Sequence, residues 1–242
     1  MNNTTETNTE KQVKSKERVQ KHGEVFTPQW VVNDMLNLLP DEVWTPEKTF
    51  LEPACGEGAF LIEIYKRKLQ NINSQNQNHW EWYAAIVTSS IYGIELLEDN
   101  VKQCRKNLLK IFNDFYTKKF PNSIDNQLVE TVKFLIDCNI IQGNALTCRK
   151  CSLNCGNECD KCDLIIFSEW KIANDKGACL LVETSDYKFQ RNDYIYKELI
   201  KAEEMQKKAS TGFFEVEFSN EKYGLKRSYN PVNYKEIQYA KD

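Results

Sequence analysis

Residues 51–60 have the sequence LEPACGEGAF and join a short apolar run to a segment with helical spacing. Residues 49–53 (TFLEP) predict a buried strand, and residues 59–69 predict a helix whose apolar side chains recur at helical intervals. Between the two, Gly56 and Gly58 allow a tight turn in which the backbone can approach a ligand closely. The stretch therefore predicts a strand–turn–helix unit that offers the free N–H groups of a helix start to a ligand.

The rest of the chain alternates predicted strands with predicted helices. The further strands are expected at residues 91–95, 139–142, 163–167 and 178–183. This alternation is typical of an α/β fold with a doubly wound, mostly parallel sheet. The run DLIIF at residues 163–167 is almost wholly apolar, as a central parallel strand is, and the polar residues 71–82 predict a surface insertion. Ligands of such sheets bind at the carboxyl ends of the strands.

Length and composition indicate a soluble protein with one main domain. The chain has 242 residues, of which 41% are hydrophobic and 28% are charged. We expect residues 1–13 to be a disordered tail, residues 14–207 to form the domain, and residues 208–242 to be a short extension. No apolar run is long enough to span a bilayer and the N-terminus lacks the apolar core of a secretory signal, so a cytoplasmic location is expected.

Two carboxylates stand where a ligand of the turn would lie. Glu52 directly precedes the turn and suits a positively charged amino group rather than a phosphate. Glu95 ends the next predicted strand, where a carboxylate can accept hydrogen bonds from two ribose hydroxyls. The turn does not have the GxGxxG pattern, so a dinucleotide pyrophosphate is not expected.

These motifs resemble those of the N6-adenine DNA methyltransferases of restriction–modification systems. LEPACGEGAF is similar to the family's first motif for S-adenosylmethionine (SAM), and GEVFTP at residues 23–28 to the FTP element that precedes it. GIELLEDN at residues 93–100 and GNAL at residues 143–146 resemble the second and third motifs. The four occur in the family's order, so the resemblance implies a Rossmann-like, SAM-dependent methyltransferase fold.

The resemblance also implies a role for each matching residue. The SAM contacts would be Phe26, Thr27 and Pro28 for the methionine part, Glu52, Ala54, Gly56 and Gly58 for its amino and carboxylate groups, Glu95 for the ribose, and Leu96 and Asn144 for the adenine. Asn144 stands where the family often has Asp. Its side-chain oxygen can still accept a hydrogen bond from the adenine amine.

The sequence departs from the family at the catalytic motif. The family has D/N-P-P-Y/F/W after its fourth strand, where polar groups accept the N6 hydrogens of a flipped adenine and the aromatic ring stacks on it. Here Ser168, Glu169 and Trp170 occupy that position, both prolines are absent, and Phe167 cannot replace the Asn side chain. Two interpretations stay open. Either these three residues form a variant catalytic loop, or the site is degenerate and binds SAM or a partner without methyl transfer.

The implied function is methyl transfer from SAM to adenine N6 of DNA, within or derived from a restriction–modification system. Methylation of RNA or protein on the same fold is a further alternative. The net charge of −3 argues against tight, nonspecific nucleic-acid binding by the chain alone. Only about 35–40 residues follow the last predicted helix, too few for an independent recognition domain. Recognition of a DNA sequence would therefore need a separate subunit, or the substrate is not specific duplex DNA.

Cysteines cluster between the third and fourth predicted strands. Of nine cysteines, five lie between Cys148 and Cys162. Two CxxC pairs can place four thiolates around Zn²⁺, and in a reducing compartment such clustering favours metal over disulfides. Residues 146–163 therefore predict an insertion held by structural zinc, with Cys155 as a spare or alternative to the ligands Cys148, Cys151, Cys159 and Cys162. An iron–sulfur cluster and free thiols are the alternatives.

Overall fold

The computed structural model describes residues 14–22, 24–72, 79–151, 161–173, 187–200 and 224–240. The predicted tail at residues 1–13 and the predicted strand at residues 178–183 lie outside these ranges. In chain order the helices and strands are α1 (Lys16–His22), α2 (Gln29–Leu36), β1 (Phe50–Glu52), α3 (Ala59–Gln70), α4 (Trp80–Ser89), β2 (Ile91–Glu95), α5 (Glu98–Lys119), α6 (Asn126–Asn139), β3 (Ile140–Gln142), β4 (Ile166–Ile172), β5 (Lys188–Ile195), β6 (Leu225–Ser228) and β7 (Val232–Asn233).

The first three predicted strands form a parallel sheet in the order β1-β2-β3. Phe50 pairs with Ile91 and Gly93 pairs with Ile140, so the strands run in register with their carboxyl ends at one edge. The connections between them are helical, which confirms the α/β class. Glu52, Glu95 and Gln142 are the last residues of the three strands.

Helices α3 to α6 bury their apolar stripes in the main core. On α5, Val101, Cys104, Leu108 and Phe112 recur at helical spacing on one face and are buried. Tyr116, one turn further on, extends the same stripe. No helix within the described residues is long and apolar enough to cross a membrane.

The expectation of a polar surface insertion at residues 71–82 is wrong at its C-terminal end. Trp80 and Trp82 begin α4, and each is only 4% exposed. Trp80 stacks on Tyr116 with ring centroids 5.9 Å apart, and Trp82 stacks on Tyr187 at 4.8 Å. These aromatic rings bury a large apolar area, which outweighs the polar character of the sequence before them.

The expectation of a central parallel strand at residues 163–167 is also wrong. β4 pairs antiparallel with β5, in a second sheet that also contains β6 and β7. Ile165 and Phe167 are buried against Tyr92 and Ile94 of β2, so the apolar run packs on the face of the parallel sheet. A strand that packs on the face of another sheet and a strand in the centre of a sheet require the same apolar composition. The sequence therefore did not distinguish the two arrangements.

The C-terminal residues complete the second sheet and part of the core. β6 and β7 both pair with β5. A 3-10 helix at Tyr234–Tyr239 places Tyr234 and Ile237 in the main hydrophobic cluster. Residues 193–195 belong to β5, and a helix begins directly after it at residue 196.

Candidate cofactor site

The glycine turn lies at the carboxyl end of β1. The N–H of Cys55 donates to the carbonyl of Ile94 at 3.0 Å, and the N–H of Gly58 donates to the carbonyl of Cys55 at 2.8 Å. Gly56 has φ +54° and Gly58 has φ +94°, so both adopt left-handed conformations that favour glycine. The predicted strand–turn–helix unit is confirmed, with α3 beginning directly after the turn at Ala59.

Glu95 binds the same turn from the next strand. Its carboxylate accepts a hydrogen bond from the N–H of Gly56 at 2.9 Å and one from the N–H of Leu97 at 2.8 Å. An ionised carboxylate accepts about four hydrogen bonds, so acceptor positions remain on both oxygens. The turn and Glu95 therefore border the same space at the edge of the sheet.

Glu52 places a second carboxylate beside the turn. Burial raises the pKa of Glu52, and a hydrogen bond from the N–H of Ala54 acts against that rise. A half-buried carboxylate is expensive to ionise unless a positive charge approaches it. The position therefore suits a ligand that carries an ammonium group, as the sequence predicted.

The FTP segment covers the turn. A Cβ atom added at Gly56 would lie 3.8 Å from the ring of Phe26, so this ring packs directly over the glycine. Thr27 is half-buried, and Pro28 is the N-cap residue of α2, with its carbonyl accepting from the N–H of Val32. Phe26, a predicted contact of the methionine part of SAM, therefore lies against the glycine turn.

A polar network holds the N-terminal strap, defined as residues 14–28, against the start of α5. The guanidinium of Arg18 donates to Glu24 at 2.7 Å and to Asp99 at 2.8 Å, and the amide of Asn100 also donates to Glu24. The hydrogen bond from Arg18 lowers the pKa of Asp99 to about 2. Lys14 adds an ion pair with Glu57, in the glycine turn, at 2.6 Å. Sequence reasoning missed these residues, since charged side chains in a polar stretch give no sign of distant partners.

The two residues predicted to contact adenine are Leu96, which directly follows Glu95, and Asn144, which lies in the loop after β3. Leu96 is half-buried, and its carbonyl accepts from the amide of Gln142 at 3.4 Å. Asn144 follows Gly143, whose N–H donates to the carbonyl of Glu95 at 2.9 Å. The side-chain oxygen of Asn144 accepts from the N–H groups of Leu146 and Thr147, so it caps its own turn.

The predicted catalytic segment is a strand and not a loop. Ser168, Glu169 and Trp170 lie in the middle of β4. The hydroxyl of Ser168 donates to Asp193 at 2.8 Å, and the indole N–H of Trp170 donates to the amide oxygen of Asn139 at 3.1 Å. Burial raises the pKa of Glu169, whose carboxylate accepts from the amide of Asn192 at 3.4 Å.

The cysteine segment is described only in part. Cys148 and Cys151 are buried and Cys162 is half-buried, whereas Cys155 and Cys159 lie outside the described residues. Among the described residues, no group of three or more His, Cys, Asp or Glu side chains is arranged to hold a metal ion. The structure therefore does not support the predicted zinc knuckle.

An open cavity of about 790 Å³ lies beside β3. Cys151, Cys162 and Ser168 line it, whereas none of the predicted SAM contacts does. The predicted SAM contacts thus lie around the carboxyl ends of the strands. Cys151 and Cys162 of the predicted zinc site and Ser168 of the predicted catalytic segment instead line one cavity.

Comparison with known proteins assigns the first half of the chain. The sequence model of a family described as N-6 DNA Methylase matches residues 12–137. The match spans α1 to α6 and includes every predicted SAM contact except Asn144. No curated protein and no solved structure matches the chain.

Proposed function

Because the chain belongs to the N-6 DNA methylase family, we propose that it transfers the methyl group of SAM to N6 of adenine in DNA, in or derived from a restriction–modification system. The observation that carries the proposal is the hydrogen bond between Gly56 and Glu95 beneath the ring of Phe26. It brings three of the expected SAM contacts together from three separate segments of the chain.

The residues at the strand ends fit SAM by their chemistry. Glu52 gains a partner for its half-buried carboxylate from the amino group of the cofactor, and Glu95 keeps acceptor positions for ribose hydroxyls. Phe26 shields the turn from water. When bound, SAM supplies an electrophilic methyl group on its sulfonium. The parallel order β1-β2-β3, with the ligand at the carboxyl ends, supports a Rossmann-like fold.

On the acceptor side, we assign Glu169 to the adenine amine. A carboxylate that accepts an N6 hydrogen raises the electron density on the nitrogen, which makes the amine more reactive towards a methyl donor. Glu169 accepts hydrogen bonds from Asn192 and Tyr194, and Lys171 lies 3.6 Å from it. A carboxylate accepts about four hydrogen bonds, so acceptor capacity remains for an amine. Trp170 is 8% exposed, so stacking on a base requires β4 to move.

A second candidate function is SAM binding without methyl transfer. It is favoured by the hydrogen bonds of Ser168 and Trp170, which stabilise this segment within a strand in place of a loop open to a flipped base. In that case the chain acts as a methyltransferase-like subunit. The two candidates share the cofactor site and differ only at β4.

Isothermal titration with SAM and transfer of tritiated methyl groups to DNA, RNA and protein test these proposals. Label in DNA that is lost in Glu169→Gln, with SAM affinity unchanged, supports methyl transfer through Glu169. The matched control is Glu130→Gln, an exposed residue of α6, which should keep full activity. SAM binding with no label in any substrate supports the second candidate. A purified chain that does not bind SAM eliminates both.

Structural zinc remains a separate proposal for the cysteine segment. It is supported by the spacing of the CxxC pairs and by Cys151 and Cys162 lining one cavity. Metal analysis of protein purified without chelator tests it, with Cys151→Ser expected to lose the metal. Less than stoichiometric zinc in the unmodified protein would exclude it.

A further inference from the structure

The cavity beside β3 is formed by elements from both sheets. Its wall includes Arg105 of α5, Asp137 of α6, and residues of β4, β5 and β6. None of the proposed SAM contacts lines it, although Gln142, which does, donates to the carbonyl of Leu96. The second sheet therefore adds a concave surface beside the parallel sheet.

Positive charge dominates this cavity. Among the described residues that line it, two carboxylates, Asp137 and Asp193, face five cations, which are Arg105, Lys150, Arg191, Lys226 and Arg227. An excess of cations on one concave surface attracts anions and raises their local concentration. The chain as a whole has a net charge of −3, so the positive charge around the cavity is opposite in sign to the net charge of the protein.

Both carboxylates already have partners. Asp193 accepts hydrogen bonds from Ser168, Arg191 and Tyr229, at 2.8, 2.8 and 3.1 Å. Asp137 lies 3.6 Å from the guanidinium of Arg105. Within the described residues, no ion pair of the cavity involves Lys150 or Lys226, and both side chains are exposed. As far as the described residues go, the charges of these two lysines are not used in ion pairs of the cavity.

Two of the arginines that line the cavity, Arg191 and Arg227, also lie near an aromatic ring. The ring of Tyr229 lies 4.7 Å from the guanidinium of Arg191 and 5.8 Å from that of Arg227. Guanidinium groups held on aromatic rings lose little freedom when they bind, and they match the geometry of phosphate oxygens. Ammonium groups add charge attraction without strict geometry.

We propose that this cavity binds a phosphate ester, with Lys150, Lys226 and Arg227 as its principal contacts. The phosphate belongs either to a nucleic-acid backbone or to a free nucleotide, since the same cations serve both. The proposal does not rest on methyl transfer, because none of the proposed SAM contacts lines the cavity. If a backbone binds here, this chain itself contributes to holding the nucleic acid.

Fluorescence anisotropy with a labelled DNA strand of about 12 nucleotides, and calorimetry with deoxyadenosine monophosphate, test the proposal in the absence of SAM. Lys150→Ala/Lys226→Ala should weaken binding about tenfold or more. It should also reduce the salt slope for the strand by about 1.4, because two phosphate contacts are lost. The control Lys102→Ala/Lys110→Ala removes two exposed lysines of α5 with the same charge change and should bind like the unmodified protein.

The outcomes distinguish a backbone phosphate from a free nucleotide, and they distinguish phosphate binding from the proposed methyl transfer. Loss of strand binding in the cavity variant identifies a backbone phosphate, and loss of mononucleotide binding alone identifies a free nucleotide. The proposal is overturned if neither probe binds, or if the cavity variant and the control variant bind equally. SAM titration of both variants should give unchanged affinity, so a failed methyl-transfer proposal leaves this result intact.

Discussion

The backbone N–H of Gly56 donates to the carboxylate of Glu95 at 2.9 Å and thereby joins the turn after β1 to the end of β2. The second carboxylate oxygen accepts from the N–H of Leu97, so one side chain fixes two backbone segments. The conformation of the glycine turn therefore depends on a residue 39 positions later in the chain.

Replacing Glu95 should weaken both the fold and SAM binding. Glu95→Ala leaves the N–H groups of Gly56 and Leu97 without their acceptor, which costs about 1–3 kcal/mol of unfolding free energy. Chemical denaturation measures that loss, and calorimetry should show SAM affinity at least about tenfold weaker. Glu98→Ala, an exposed residue in the first turn of α5, is the control. Unchanged SAM affinity in Glu95→Ala would contradict the assigned site.

The two glycines of the turn should differ in their tolerance of alanine. Gly58 has φ +94°, and an added Cβ would lie 2.7 Å from the sulfur of Cys104, so Gly58→Ala should cost about 3 kcal/mol. Gly56→Ala adds a Cβ at an ordinary 3.8 Å from Phe26 and should cost about 1 kcal/mol. Both values come from denaturation curves. Gly58→Ala/Cys104→Ala should recover part of the loss in a double-mutant cycle, and strict additivity would refute the contact.

Lys68 should make stability depend on pH. Its amine donates to the carbonyl of Lys48 and the hydroxyl of Ser90, and burial lowers its pKa from 10.5 to about 7. Between these values the unfolded chain binds a proton that the folded chain does not. The unfolding free energy should therefore rise with pH in this window, by up to about 1.4 kcal/mol per pH unit.

Denaturation at several pH values checks this dependence. Lys68→Met should lose the rise, whereas the control Lys66→Met, a more exposed lysine of the same helix, should keep it. Parallel curves for Lys68→Met and the unmodified protein between pH 7 and pH 10.5 would show that Lys68 is charged in the fold.

The N-terminal strap should affect the ligand more than the fold. Arg18→Ala removes the hydrogen bonds to Glu24 and Asp99. The side chain of Asp99 is half exposed, and Glu24 keeps its hydrogen bond from Asn100, so stability should change by less than about 1 kcal/mol. Because the strap carries Phe26, SAM affinity should fall several-fold and the strap should become easier to cleave in limited proteolysis. Lys16→Ala, exposed on the same helix, is the control. Equal SAM affinity in the two variants would argue against a role of the strap at the site.

Local spacing was enough to predict the parallel half of the fold. The strand predicted at residues 91–95 has those bounds in β2, and the helix predicted from residue 59 begins at Ala59. The glycine turn and the carboxylate that faces it were also predictable, because short-range patterns decide strand, turn and helix type. By contrast, the bonds from Arg18 to Glu24 and Asp99 could not be read from spacing, since they join polar residues of different elements.

The sequence by itself thus determined the α/β class, the three parallel strands and the glycine turn. Only the tertiary structure decided that Trp80 and Trp82 are buried and that β4 pairs in a second, antiparallel sheet. It also decided that Ser168 and Trp170 donate hydrogen bonds from β4 to residues of β5 and α6. The physical reason is that apolar composition requires burial but does not specify the partner. The partner of an aromatic ring or a strand edge is chosen by contacts between residues far apart in the chain, and local periodicity carries no record of them.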